Sequence, residues 1–174
     1  MSADRPATAF TPSRWPGAQE SLLESRGEYE AAFDELLAGA RSLVRIFDRR
    51  LARDFDTAAR IATLRRFLLA SRVNRVRIVL HEPGTLARDC PRLMALLGPF
   101  GHAIAIHRTL APAQRVYDPF ALTDTTAFLH RFHYDHARGL YSRGDLPATQ
   151  LLALRFEEIW EVSRPAVSAT RLGL

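Results

Sequence analysis

The chain has 174 residues, of which 47% are hydrophobic, and this predicts one domain with a substantial core. All 24 basic residues are Arg, which excludes any mechanism that needs a Lys nucleophile, Schiff base or phosphate-binding Lys. The formal charge of +5 permits an acidic partner without requiring one. A single cysteine, Cys90, excludes an internal disulfide, and neither a membrane span nor a signal peptide is visible, so we expect a cytoplasmic protein.

The first elements follow from composition and periodicity. Residues 1–18 are rich in Pro, Ala, Ser and Thr without periodicity, which predicts a flexible N-terminal arm before a domain over residues 19–174. Ser25 and Glu28 stand at capping-box spacing and begin a helix. Residues 42–47 predict the first strand, with Asp48 at its carboxyl end. A second helix follows, for which we expect Asp56 as N-cap and Arg60 on the outer face.

The segment over residues 64–81 organises the rest of the chain, because it predicts a helix, a short turn and a strand in succession. The strand, residues 76–80, is β-branched and almost wholly apolar, which is typical of a parallel strand covered on both faces. Such sheets place their ligands at the carboxyl ends of strands, here near His81 and Glu82. Residues 102–107 predict a further strand that ends at His107.

The last third of the chain changes pattern. Residues 118–123 and 126–132 are extended pieces joined by Asp124 and Thr125, which predicts a β-hairpin and therefore a mixed sheet. We expect residues 133–145 to be a long polar loop and a final helix to open at Asp145 or Pro147. The predicted fold class is a single mixed-sheet α/β sandwich.

This order of elements resembles one repeat of the phospholipase D superfamily. Residues 20–163 are similar to an uncharacterised bacterial domain family of that type. The residues that carry the resemblance are residues 65–69, residues 74–78, residues 91–93, Asp124, and Phe156 with Trp160. The resemblance implies a cleft that once held a phosphodiester, and it implies pairing of two copies, so a homodimer is possible.

Active members of that superfamily carry His-x-Lys, four further residues and Asp. Counted back from Asp124, the His position falls on Tyr117 and the Lys position on Pro119. A phenol is a weak nucleophile at neutral pH, and proline supplies no charge to neutralise a phosphate. The resemblance therefore implies a degenerate, non-catalytic repeat.

Candidate chemistry lies in two groups of histidines. His81 and His107 end predicted strands, with Asp48 at the end of a third, so they could form a general base with an orienting carboxylate, or a metal site. The alternative is that these imidazoles only satisfy loop carbonyls. The second group, in HRFHYDH at residues 130–136, matches no standard zinc spacing, so we predict neither a metal nor a cofactor.

Arginines in the late loops suggest an anion site. Arg131 and Arg138, with Arg108, Arg115 and Arg143, could hold phosphate or carboxylate, although a solvated surface explains them equally well. Tyr134 and Tyr141 beside such arginines could stack on bases. The candidate binding residues are Asp48, His81, His107, Tyr117, Asp124, Arg131, His133 and Arg138.

Three functions follow in order of preference. The first is a non-catalytic domain that binds an anionic small molecule or a partner protein in the former phosphodiester cleft. The second is a phosphoesterase or phosphodiesterase with a relocated site, in which His81 or His107 works with Asp48 or Asp124. The third is a nucleic-acid-binding module, although the sequence has no standard nucleic-acid motif.

Overall fold

The computed structural model describes residues 16–124 and 126–167. Most of the predicted arm, residues 1–15, lies outside the described residues, as do residues 125 and 168–174. The strands are β1 (Gln19–Leu23), β2 (Leu43–Asp48), β3 (Arg75–Leu80), β4 (Ile104–Thr109), β5 (Phe120–Thr123), β6 (Ala127–Arg131), β7 (Gly139–Arg143) and β8 (Ser163–Val167). The helices are α1 (Arg26–Ala38), α2 (Ala58–Ala70), α3 (Leu86–Asp89), α4 (Pro91–Phe100) and α5 (Leu146–Glu161).

All of these strands form one mixed sheet in the order β1-β7-β6-β5-β2-β3-β4-β8. The pairs β2–β3 and β3–β4 are parallel, and every other pair is antiparallel. This confirms the predicted mixed-sheet α/β fold and the β5–β6 hairpin. We call the edge at which β2, β3 and β4 end the carboxyl rim, and the edge at which they begin the amino rim.

Helices cover both faces of the sheet. Alternate residues of β2 point to opposite faces: Val44 and Ile46 join the core beneath α1, α2 and α4, whereas Phe47 joins the core beneath α5. On β3, Ile78 and Val79 divide in the same way. Burial on both faces explains why these two strands read as continuous apolar runs.

Of the two N-terminal caps predicted for α1 and α2, one is correct and one is wrong. The Ser25 hydroxyl accepts from the backbone N–H of Glu28, whose carboxylate accepts from that of Ser25, so the capping box is confirmed. The cap predicted for α2 is wrong, because Thr57 holds that position. The Asp56 carboxylate instead accepts from two backbone N–H groups in the first turn of α4, at 2.8 and 2.9 Å. Only the packing of α4 against the α2 connection brings this carboxylate there.

The outer strands were not predicted. Strand β7 lies inside the segment expected to be a loop, and β1 and β8 were also missed. The edge strands β1 and β8 are short, and nearly all of their residues are exposed or only partly buried, so they lack the apolar alternation that identifies a strand in sequence. Pro165 in β8 is tolerated because that strand is at the edge of the sheet.

The prediction that Arg60 faces solvent is wrong. Its side chain is 3% exposed and its guanidinium lies within 2.8 Å of Glu30 and 2.7 Å of Asp34. It also donates to the carbonyl of Asp54 and lies over the ring of Phe33. Periodicity could not reveal this burial, because the acceptors come from α1 and from the connection before α2.

Candidate functional site

The carboxyl rim collects most of the predicted binding residues. Asp48 ends β2, Arg131 ends β6, and His81 follows β3. The loops before β5 and after β6 open on the same rim, because β5 runs antiparallel to β2 and β6 runs antiparallel to β5. These loops carry the remaining members, which are Tyr117, His133 and Arg138.

A cleft of about 390 Å³ opens at this rim on the α1 side of the sheet. We call it the rim cleft. Five Arg and four acidic side chains line it, together with two tyrosines and one histidine, so its charge is nearly balanced. The polar lining residues are Arg26, Tyr29, Glu30, Asp48, Arg49, Arg50, Asp54, Arg60, Arg131, Tyr134, Asp135 and His136.

An ion pair between Asp48 and Arg131 lies in this cleft. Arg131 Nη2 lies 3.1 Å from both carboxylate oxygens of Asp48, and the backbone N–H of Arg49 donates to the same carboxylate at 2.6 Å. Burial raises the pKa of the Asp48 carboxyl to about 6, although Arg131 acts in the opposite direction. The Arg131 guanidinium also lies 5.2 Å from the ring centre of Tyr29, whose pKa is raised by burial. Asp48 is therefore a buried carboxyl with a raised pKa that lies beside a fixed cation.

Arg131 stands next to the position that the superfamily motif gives to Lys. In the β5–β6 hairpin, Phe120 lies opposite His130, so one step further brings Pro119 beside Arg131. The backbone N–H of Arg131 donates to the Pro119 carbonyl at 2.8 Å. A permanent cation thus occupies this end of β5, supplied by the neighbouring strand rather than by residue 119. The Nε atom of Arg131 is buried and has no hydrogen-bond partner among the described residues.

Aromatic side chains border the cleft. The ring of Tyr117, 50% exposed, lies 6.3 Å from that of His133 and 6.0 Å from that of Tyr134, centre to centre. Arg49 lies over the Tyr134 ring at 4.8 Å and pairs with Glu82 at 2.9 Å. Tyr117 is thus at the rim, and Tyr134 connects it to the lining of the cleft.

His81 and His107 do not join this cleft. His81 Nδ1 lies 2.7 Å from the Thr109 hydroxyl and His81 Nε2 lies 2.8 Å from the Val116 carbonyl, so both ring nitrogens are engaged. His107 stacks on Trp160 at 3.7 Å between ring centres. Burial and then the Arg77 cation lower the pKa of the His107 imidazole. Both imidazoles lie on the α5 side of the sheet, opposite the face that holds Asp48.

Asp124 lies at the amino rim, far along the strands from the other candidates. Its carboxylate accepts from the backbone N–H groups of Arg41, Ser42 and Leu43 at 2.8 to 2.9 Å, and from the Ser42 hydroxyl. Burial raises its pKa, but these hydrogen bonds outweigh burial, so the pKa of the Asp124 carboxyl is lowered. Its backbone has a φ of 54°, a turn conformation that Asp and Asn tolerate. Through these hydrogen bonds Asp124 links the hairpin to the start of β2, and it does not line the rim cleft.

The histidines of residues 130–136 do not converge on one point. His130 Nε2 lies 2.8 Å from Asp118, which also pairs with Arg155 at 2.7 Å. His133 Nδ1 accepts from the backbone N–H of Asp135, whereas His136 lines the rim cleft. Across residues 16–124 and 126–167, no three His, Cys, Asp or Glu side chains are placed to hold a metal ion.

Several residues that line the cleft were not included in the predicted binding set. Tyr29 read as a core residue of α1, Arg49 and Arg50 read equally well as an anion-binding group or a solvated surface, and Tyr134 was considered only for base stacking. The available signal was position, since Arg49 and Arg50 directly follow a strand that ends at the carboxyl rim. Tyr141, considered for base stacking, is 6% exposed and therefore unable to stack on a ligand.

Solved structures show that this architecture is a phospholipase D-like fold. Nuc from Salmonella typhimurium, a phospholipase D family member, matches with a TM-score of 0.61 and 15% identity over 87% of this chain and 99% of that chain. NucT from Helicobacter pylori matches with a TM-score of 0.54 and 15% identity, covering 85% of this chain and 99% of that one.

The family is shown by sequence. The family described as "Domain of unknown function (DUF7931)" matches residues 25–172, and the chain belongs to it. The protein is thus a member of this family with a phospholipase D-like fold, as its sequence predicted. No curated protein matches this chain in sequence.

A third structural match is a DNA-binding protein. TrmBL2, an archaeal chromatin protein with a novel mode of DNA binding, matches with a TM-score of 0.62 and 11% identity over 87% of this chain. The match covers 55% of TrmBL2, so the chain spans little more than half of that protein. In the described part of our chain, no helix has the length and apolar character needed to cross a bilayer.

Proposed function

We propose that this domain binds a phosphate-bearing anion in the rim cleft without hydrolysing it. The observation that carries the proposal is the placement of Arg131 beside Pro119, with Tyr117 at the motif's His position on the same rim. The cleft thus keeps a cation where phosphate charge would be neutralised, while the position of the attacking imidazole holds a phenol.

The hydrogen bonds that Arg131 makes, and the donor that it leaves unused, suit it to anion binding. Its Nη2 atom is held by Asp48, and its buried Nε is an unused donor among the described residues. An incoming anion competes with Asp48 for this guanidinium. Protonation of Asp48 removes the competing charge, so anion affinity increases as the pH falls through about 6. Arg50, exposed and without an acidic partner in the described residues, adds a second cation at the mouth.

The geometry supports binding better than a relocated hydrolytic site. The pairs considered from sequence, His81 or His107 with Asp48 or Asp124, are divided between two faces and two rims of the sheet. A nucleophile and its base need to lie within hydrogen-bond reach, about 3 Å. The volume of about 390 Å³ also suits a small ligand rather than a folded partner.

The test uses bis(4-nitrophenyl) phosphate and 4-nitrophenyl phosphate, which report both binding and cleavage. We expect no nitrophenolate above the buffer rate, together with a saturable rise in melting temperature. Arg131→Gln removes the cation of the rim cleft and should abolish the rise that the diester, bis(4-nitrophenyl) phosphate, produces. Arg66→Gln, a change on the exposed face of α2, is the matched control and should retain it. Turnover that is lost in Arg131→Gln or His133→Ala would overturn the proposal.

Nucleic-acid binding is a second candidate, favoured by the exposed aromatic group at the rim. Tyr117 and Phe132 are 50% and 44% exposed, and His133 lies beside Tyr117. Rings of this kind stack on unpaired bases, and nearby arginines such as Arg138 would contact the backbone. Binding of a fluorescent oligothymidylate that weakens steeply with salt and is lost in Tyr117→Ala supports this candidate. Salt-independent or absent binding rejects it.

Self-association and a cytoplasmic location remain predictions. Two leucines on the outer side of α5, Leu151 and Leu154, are 69% and 62% exposed and offer apolar surface for a second copy. Sedimentation equilibrium of the wild-type chain and of a Leu151→Glu, Leu154→Glu variant tests pairing. A monomer in both cases contradicts it.

A further inference from the structure

A second cleft of about 630 Å³ opens at the far end of the carboxyl rim, where β4 meets the edge strand β8. We call it the edge cleft. Its lining consists of His81, Glu82, Pro83, Gly84, Arg108, Arg164, Pro165 and Ala166. None of these residues lines the rim cleft, and the Glu82–Arg49 ion pair connects the margins of the two clefts.

Two arginines face each other in the edge cleft. Arg108 on β4 and Arg164 on β8 are directly opposite in the antiparallel register, so their side chains leave the same face of the sheet. Both are exposed, and neither has an acidic partner among the described residues. Like charges directly opposite on paired strands destabilise a sheet. The arrangement therefore has a stability cost that a bound anion would remove.

A β-bulge creates this juxtaposition. The register shifts between Ile106 and His107: Ile106 pairs with Val167, whereas His107 pairs with Pro165. Continued without the shift, the earlier register would bring Pro165 opposite Arg108. The bulge moves Arg164 into that position instead. Bulges commonly redirect a side chain at the edge of a sheet or beside a site.

The other polar groups of the edge cleft are already engaged. Glu82 also lines the cleft, and its carboxylate is paired with Arg49 at 2.9 Å rather than with either of the two arginines. Both ring nitrogens of His81 have partners, the Thr109 hydroxyl and the Val116 carbonyl. The two guanidinium groups are thus the free donors of this cleft within the described residues. Each presents a planar fork that matches a phosphate bidentately.

We propose that the edge cleft is a separate binding site for a dianionic phosphate group, held between Arg108 and Arg164. The ligand is inorganic phosphate or the terminal phosphate of a monoester. Two facing guanidinium groups favour a doubly charged, tetrahedral oxyanion over a singly charged diester. This site depends on neither Arg131 nor Asp48 and stands independently of the function proposed for the rim cleft.

The test measures melting temperature and isothermal titration with inorganic phosphate, in a chloride buffer of constant ionic strength. Arg164→Gln should melt at or above the wild-type temperature without phosphate, because like-charge repulsion is relieved. It should bind phosphate at least about tenfold more weakly than the wild type. Arg115→Gln, an exposed arginine outside both clefts, is the control and should bind like the wild type.

Two further arms identify the ligand chemistry and the site. Arg164→Lys keeps the charge but lacks the fork, so affinity between those of wild type and Arg164→Gln is expected. Glycerol 3-phosphate should compete with phosphate, whereas dimethyl phosphate should not. Arg131→Gln should leave phosphate binding here intact, which separates this proposal from that for the rim cleft. Equal phosphate affinity in wild type and Arg164→Gln, or loss of affinity only in Arg131→Gln, would overturn the inference.

Discussion

Asp48 and Asp124 belong to opposite rims of one sheet, and their surroundings differ in kind. Asp124 receives three backbone N–H groups and one hydroxyl, which together lower its pKa. Asp48 is more buried and pairs with Arg131, yet its pKa is raised to about 6. Ordered backbone donors satisfy the first carboxylate, whereas the Arg131 guanidinium and the backbone N–H of Arg49 only partly offset the burial of the second.

The comparison shows that the two carboxylates of this chain have different roles. Asp124, which the resemblance aligns with the Asp of the superfamily motif, accepts hydrogen bonds that link the hairpin to β2 at the rim without a cleft. At the carboxyl rim, where the same predicted alignment places Tyr117 and Pro119, Arg131 supplies a positive charge from the next strand. The match at Asp124 therefore corresponds to a structural role, and the cleft has to be judged from its own contacts.

The largest expected effect tests the close approach of the β6 and β7 backbones at the carboxyl rim. In Gly139→Ala, the added Cβ would lie 2.6 Å from the backbone oxygen of His130 and 3.2 Å from Arg131 Cα. Because the backbone atoms of β6 cannot move independently of the strand, β6 and β7 must separate where Gly139 pairs with Arg131. We expect a loss of about 3 kcal/mol in urea unfolding. Gly98→Ala in α4 has open space and should stabilise slightly. Equal effects of both changes would contradict the geometry.

The amino rim gives the next effect. Asp124→Ala leaves three backbone donors without their acceptor and places alanine at a φ of 54°, so we expect a loss of about 2 to 3 kcal/mol. Asp124→Asn tolerates that φ and keeps an acceptor, so it should lose about half as much. A lowered pKa means that this stabilisation is present above pH ~4 and is lost as the pH falls through the folded-state pKa. A cost unchanged down to pH 2 would argue against the charged hydrogen bonds.

Asp48 should show the opposite dependence on pH. Its pKa is about 6 in the folded chain and ~3.9 when unfolded, so between these values the folded state holds the additional proton. Stability therefore decreases as the pH rises from about 4 to about 6 and is then level. Relative to the wild type, Asp48→Asn should gain on the order of 2 kcal/mol across this window. Urea unfolding at pH 4, 5, 6 and 7 measures the difference, and parallel curves would show that Asp48 titrates normally.

The smallest effect comes from an exposed ion pair away from both rim carboxylates. Arg143 and Glu35 lie 2.7 Å apart, with side chains 51% and 50% exposed. Water screens such a pair, so Glu35→Gln should change the unfolding free energy by less than about 0.5 kcal/mol. A loss of unfolding free energy as large as that of Asp124→Ala would contradict this expectation. It would mean that an exposed ion pair stabilises the fold as much as the hydrogen bonds of Asp124 do.

Local sequence patterns predicted the elements that are defined by their own side chains. The capping box at Ser25, the apolar strands β3 and β4, and the hairpin turn at Asp124 were recognised because spacing along the chain fixes which face each residue occupies. The edge strands β1 and β8 were missed, since their identity depends on the neighbour that pairs with them.

The sequence by itself determined the mixed α/β fold and the family, and both are confirmed. Only the tertiary structure decided which charges meet: Arg131 with Asp48, Arg60 with the acids of α1, and Arg108 with Arg164. These residues are far apart along the chain, and their encounters depend on strand order and register. A bulge of one residue is enough to change such a pairing, and no local pattern records it.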